Sequence, residues 1–191
     1  MTRLSEKNTL LPSVSSRRTF LRGLALAIPG VVVSQCMPLA SPSISERSLS
    51  LYHTHTGEKL TVVYFKGGAY IQEAREKLNF LLRDFRNDKI VSIDFLIFDL
   101  LSELSHSLNP GGVFEIISGY RSPETNAMLN KRSRGVASAS LHMQGKAIDV
   151  RLAGVPLARL KSKALALACG GVGYYPKSEF VHLDTGRIRN W

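Results

Sequence analysis

Apolar positions along this chain change their period several times, and each change marks an element. From Leu49 to Phe65, apolar and polar residues alternate on both sides of Thr56-Gly57-Glu58, which predicts two strands joined by a tight turn. Between Tyr70 and Arg86 the period lengthens: Ile71, Ala74, Leu78, Leu81, Leu82 and Phe85 recur at helical spacing with charges between them. A second helix is expected from Ser92 to Leu108, with Ile93, Leu96, Ile97, Leu100, Leu101 and Leu104 as its stripe. Asn109-Pro110-Gly111-Gly112 stops it. Val113–Ser118 reads as a strand. Ser122 then caps a helix with Pro123 in its first turn, running to Lys131. A loop of small residues spans Ser133–Ser140. Beyond it come a strand (Ala147–Leu152), a helix (Pro156–Cys169) and two further strands (Gly171–Tyr175 and Phe180–Asp184). The pattern predicts an α+β domain in which helices lead and a small, mostly antiparallel sheet closes the chain.

The first forty residues follow another logic. Ser16-Arg17-Arg18-Thr19-Phe20-Leu21-Arg22 precedes a weakly apolar run from Leu24 to Val33, interrupted by Pro29-Gly30. That run is too short to span a bilayer as a permanent helix, and a charged segment before a modest apolar core reads as a signal peptide. The Arg17-Arg18 pair resembles the twin-arginine export signal of bacteria. Residues 1–40 are therefore expected to be a signal, with cleavage after Ala40 and residues 41–48 as a polar linker. Gln35 before Cys36 argues against a lipid anchor. The protein is expected outside the cytoplasmic membrane, in the periplasm, with no stable membrane insertion once the signal is removed.

Charge narrows the partners only a little. The 191 residues carry a formal charge of +10, from 25 basic and 15 acidic side chains. Residues 1–40 hold five of the basic groups and one acidic, so the remainder is near +6. Such a surplus suits nucleic acid, an anionic membrane or an acidic polymer such as a cell wall. The export signal and the lack of a recognised nucleic-acid-binding motif count against the first. Of the two cysteines, Cys36 falls in the signal, so Cys169 is expected to be an unpaired, apolar packing residue.

Chemistry concentrates in the last third. Ser140-Leu-His-Met-Gln-Gly-Lys-Ala-Ile-Asp149 is followed by Glu179-Phe-Val-His-Leu-Asp184. Asp149 lies in an otherwise apolar strand, where alternation puts Ala147 and Arg151 on its face and Ile148 and Val150 on the other. An aspartate facing inward needs a partner, because an unpaired buried carboxylate is costly. Gly145 lets the chain turn, so that His142 from the loop and Asp149 from the strand converge, and His182 repeats the situation on a neighbouring strand. His142, Asp149 and His182 thus form a candidate three-ligand metal site with a fourth position open, the arrangement of a catalytic zinc. Glu179 is the first candidate for general base. Asp184 is the second, or else orients a ligand histidine. Arg121, at a helix start, opposes the helix dipole and so calls for an anionic partner: an oxyanion, a substrate carboxylate or a structural ion pair.

These residues resemble the zinc peptidase family that includes D-Ala-D-Ala dipeptidases and carboxypeptidases, whose fold is shared with the hedgehog signalling domain. The matching pattern is Ser-x-His-x-x-Gly-x-Ala-x-Asp at Ser140–Asp149 and Glu-x-x-His at Glu179–His182. "SLYHTHTGEKL", "ISGYRS" and "GVGYYPKSEFVHLDTGRIRNW" are similar to the YcbK-like branch of exported murein endopeptidases, over residues 16–191. The resemblance implies a hedgehog-like fold for residues 49–191 and one Zn2+ on His142, Asp149 and His182. It further implies a role for Arg121 towards substrate or transition state, and peptidoglycan as the substrate, cut at amide bonds in its cross-links. The alternative is a zinc-stabilised, non-catalytic wall-binding module. His53 and His55 are expected to be exposed in their hairpin, and the Thr54–Lys59 match to a zinc-finger linker has no cysteine pair to support it. Tyrosines, Phe180 and Trp191 are expected either to line a substrate groove or, as is more usual at these spacings, to be core or rim packing.

Overall fold

The computed structural model describes residues 46–191 apart from residue 134; the expected signal peptide and the first part of the linker lie outside the described residues. An eight-stranded sheet runs in the order β3-β2-β1-β4-β5-β7-β6-β8. Its strands are β1 (Glu46–His53), β2 (Lys59–Lys66), β3 (Ala69–Tyr70), β4 (Val113–Ser118), β5 (Ala147–Leu152), β6 (Gly171–Tyr175), β7 (Phe180–Asp184) and β8 (Arg189–Asn190). The β1·β4 and β6·β8 pairs are parallel and the other pairings antiparallel. The α+β class and the mostly antiparallel sheet agree with the sequence pattern. The N-terminal hairpin, however, precedes the helices and joins the same sheet, which is larger than expected.

Among the described residues, four α-helices accompany it: α1 (Gln72–Leu81), α2 (Phe95–Leu108), α3 (Pro123–Arg132) and α4 (Leu157–Leu167). The helix expected to reach Arg86 stops at Leu81. Beyond it the buried Asp84 carboxylate accepts from the backbone N–H groups of Arg86 and Ser122, which bends the chain away from the helix axis. The second helix starts at Phe95, later than the expected Ser92, and Asp94 caps it by accepting from Leu96 N–H at 3.1 Å. Ser122 caps α3 as expected, accepting from Thr125 N–H at 3.2 Å.

The core lies on one face of the sheet. Leu49 and Leu51 of β1, Phe114 and Ile116 of β4, Ile148, Val150 and Leu152 of β5, and Val181 and Leu183 of β7 meet Ile97, Phe98, Leu101 and Leu104 of α2 and Leu160 and Ala164 of α4. Alternation then sends Asp149 and His182 to the opposite face. Each buried leucine of this cluster would cost roughly 2–5 kcal/mol on truncation to alanine, so the strands bearing the polar residues are firmly seated from behind.

Two expectations are corrected. His53 is fully buried, because β1 is an interior strand paired on both edges and Phe85 covers the ring, with centroids 5.4 Å apart. Its Nδ1 accepts from the N–H groups of His55 and Thr56. Burial, then the neighbouring His55, lowers its pKa to about 4. Cys169 is half-buried against the core, but it is disulfide-bonded, not an unpaired thiol.

Candidate metal centre

Three pieces of backbone set the site. The end of β4 runs past Leu82 so closely that a Cβ on Gly119 would come within 2.5 Å of the Leu82 carbonyl oxygen. A 3-10 turn, Leu141–Gln144, is started by Ser140, whose Oγ accepts from His142 N–H at 3.3 Å. It ends at Gly145 with φ +67°, where a Cβ would meet the Ser92 carbonyl oxygen at 2.6 Å. Glycine is therefore required at Gly145 for conformation and space alike. The turn delivers His142 to the head of β5. Asp149 on β5 lies directly opposite His182 on β7 in the strand register.

Three candidate ligand atoms consequently converge. His182 Nδ1 is 2.8 Å from Asp149 Oδ1, His142 Nε2 is 3.3 Å from the same oxygen, and the two ring nitrogens are 3.2 Å apart. One ligand atom from each residue lies within 4.8 Å of the others. Outer partners fix which atoms face inward. His142 Nδ1 is 2.7 Å from the Gly119 carbonyl, which only accepts, so that nitrogen carries the proton and Nε2 presents a lone pair. His182 Nε2 donates to Asp184 Oδ2 at 3.1 Å, leaving Nδ1 facing Asp149. Asp149 Oδ2 accepts from Arg121 at 3.1 Å.

Two lone-pair nitrogens and an anionic oxygen this close repel one another unless a proton or a cation lies between them. The pKa directions register the same fact. For His182, burial opposes the charge, but its hydrogen bonds to Asp149 and Asp184 outweigh it and raise the value to about 9. For Asp149, burial opposes ionisation, and the charges and hydrogen bonds of His142 and His182 drive its pKa well below the ordinary range. Two imidazoles and one carboxylate, each held from behind by its own partner, are the donor set and outer shell that suit a zinc ion.

Asp184 is fully buried behind His182. Its carboxylate also accepts from the N–H groups of Gly171 and Gly186 at 3.0 and 2.8 Å and from Arg189 at 2.7 and 3.1 Å. Burial works against its charge, and these hydrogen bonds keep it ionised. Arg121 is almost buried and paired with Asp149, and its guanidinium also lines the cleft.

Glu179 is not brought into the trio. Its side chain is 78% exposed and pairs with Arg151 at 3.6 Å. Its backbone is left-handed, with φ +55°, which breaks the strand alternation and leaves the carboxylate beside a residue that shares Asp149's face. A cleft of about 320 Å³ opens over the trio, between the small-residue loop and an aromatic wall that includes Tyr175, Phe180 and Trp191. The aromatics divide between the two expectations: these three line the cleft, whereas Tyr64 is buried in the core and Tyr120 and Tyr174 pack against it. Sequence reasoning missed Gly119, whose carbonyl sets the His142 tautomer, and Arg189, which grips Asp184. Neither carries a motif that announces its role.

The family described as peptidoglycan L,D-endopeptidase MepK matches residues 41–191. The chain belongs to that family. Among relatives of this MepK-family chain, the peptidoglycan L,D-endopeptidase MepK of Escherichia coli is 44% identical over 172 residues, covering 87% of this chain and 94% of its own length. A Shigella flexneri protein of the same name matches equally. The "Probable peptidoglycan L,D-endopeptidase MepK" of Haemophilus influenzae is 40% identical, covering 90% of this chain and 91% of its own. No solved structure matches the chain. Among the described residues, no helix is long and apolar enough to cross a membrane.

Proposed function

We propose that this MepK-family chain is a zinc-dependent murein endopeptidase of the periplasm, exported by the twin-arginine route and built on the hedgehog-like peptidase fold. The relatives' names favour the L,D type of cross-link as the bond that is cut. The observation that carries the reading is the convergence of His142, Asp149 and His182 in a cleft, each with an outer partner already in place.

Zinc held by these three side chains would polarise the scissile carbonyl and make a bound water acidic. The protein's own groups do the rest. Asp184 orients His182 by accepting its Nε2 proton and, being saturated with hydrogen bonds, acts as a positioning residue. Arg121 neutralises the outer oxygen of Asp149 and stands in the cleft, where developing negative charge on the substrate oxygen meets its guanidinium. Glu179 is assigned as the proton acceptor for the attacking water and the proton donor to the leaving amine, after its side chain leaves Arg151. The exposed, singly paired carboxylate makes that exchange inexpensive, since such surface pairs contribute only about 0–1 kcal/mol.

Incubation of the purified protein with isolated sacculi, followed by analysis of the released muropeptides, tests the proposal. New amine-bearing products that vanish with chelator and with His142→Ala are expected. Binding to sacculi without products in the zinc-loaded protein would replace the enzyme with a wall-binding module.

A further inference from the structure

Trp191 is the only tryptophan in the sequence, and it is built into the cleft wall. Its N–H donates to the Val172 carbonyl at 3.3 Å, and its carbonyl accepts from Tyr174 N–H at 3.0 Å. The indole Nε1–H donates to the Tyr175 hydroxyl at 2.7 Å, and Tyr175 stacks on Phe180 with centroids 4.6 Å apart. The indole lies against Gly173, where a Cβ would come within 2.7 Å of a ring carbon. The ring is thus anchored through backbone, edge and floor, yet Trp191 remains 49% exposed. Its centroid is 5.3 Å from that of His182.

We propose that Trp191 is a substrate-binding residue whose exposed indole surface, left open beside the Arg189 guanidinium 4.9 Å from its centroid, takes the methylene stem of the cross-linking amino acid beside the amide that is cut. The proposal rests on the endopeptidase reading above. Distance selects the occupant: a peptide advances roughly 3.3 Å per residue, so a group resting on the indole belongs to a residue flanking an amide placed at the trio. The glycan, several residues further along the stem, does not reach it. Chemistry selects the stem, because an aromatic surface gains most from apolar contact. Anchoring adds to the gain, since a ring already fixed loses little freedom when the substrate arrives. The cleft lining also includes the small residues Gly135, Ala137 and Ala139, which take up little of its volume of about 320 Å³.

The test uses the zinc-loaded full chain and a muropeptide cross-linked through a diamino acid. Two analogues accompany it, each with alanine in place of the diamino acid on one side of the cleaved amide. Trp191→Ala is expected to raise KM for the parent about tenfold, with kcat and zinc content unchanged, and to leave KM unaltered for one of the analogues. Trp191→Phe should recover most of the loss. In the unsubstituted, metal-free protein, the parent should shift the emission of the single tryptophan and that same analogue should not. Equal effects of Trp191→Ala on all three substrates, or emission blind to saturating parent, would overturn the proposal. Wild-type protein that cleaves none of them while its emission still responds would sink the peptidase reading and leave the contact standing.

Discussion

His53 in β1 and His182 in β7 are both withdrawn from water in the same sheet, and their surroundings push them in opposite directions. His53 meets a phenyl ring, and its Nδ1 serves two backbone N–H groups as an acceptor; burial dominates and the ring is held neutral, with a pKa of about 4. His182 sits between two carboxylates, which overcome a comparable burial and raise it to about 9. Burying an imidazole is therefore not enough to make it a ligand. What distinguishes the β7 histidine is concentrated negative charge with a second lone-pair nitrogen facing it, so that the pocket favours a cation.

The comparison breaks most completely at Asp149. Asp149→Ala removes the oxygen that both imidazoles share, and activity together with metal affinity should fall by more than the ~100-fold that loss of an outer partner costs. Metal titration and muropeptide release check it. Glu179→Gln should spare the metal while lowering kcat roughly 10²–10⁴-fold; undiminished turnover would remove Glu179 from the mechanism. Asp184→Asn should weaken metal binding about 10–100-fold, because a neutral amide oxygen replaces the anionic acceptor that holds His182 Nε2 and aims its Nδ1. Competition against a chelator of known affinity measures that shift.

Smallest, and most specific to the contrast, are two slopes of stability against pH in the metal-free protein. The folded pKa of His53 lies below the ordinary histidine value of 6.5, so its contribution is complete above pH 6.5 and is lost as pH falls towards 4. The loss is at most about 3 kcal/mol. His53→Gln should flatten this acid slope. The folded pKa of His182 lies above 6.5, so its stabilisation is complete below pH 6.5 and is lost as pH rises through about 9. His182→Gln should flatten the alkaline slope, and so should saturating metal. Denaturant unfolding at a series of pH values reads both; slopes of the same sign would contradict the contrast.

Much of the site was legible because its signals are local. The seven-residue step from His142 to Asp149 spans a turn and the start of one strand, and Gly145 between them is needed for a left-handed φ. Ser122-Pro123 announced its helix for similarly local reasons. What escaped depends on distant pairing. The burial of His53 follows from β1 lying parallel to β4, some sixty residues away, and alternation alone assigns a face without saying what covers it. The outward placement of Glu179 turns on one left-handed residue at a hairpin's end, for which a glutamate gives no warning. The two-residue strands β3 and β8 are too short to show a period. Arg189 was invisible because its partner, Asp184, is chosen by the fold of β8 against β6.

Elemental analysis of the purified protein beside His142→Ala tests the central claim most directly. About one zinc per wild-type chain is expected, with little or none in the variant at unchanged far-ultraviolet circular dichroism. No zinc in active wild-type protein, or equal zinc in both, would contradict the account.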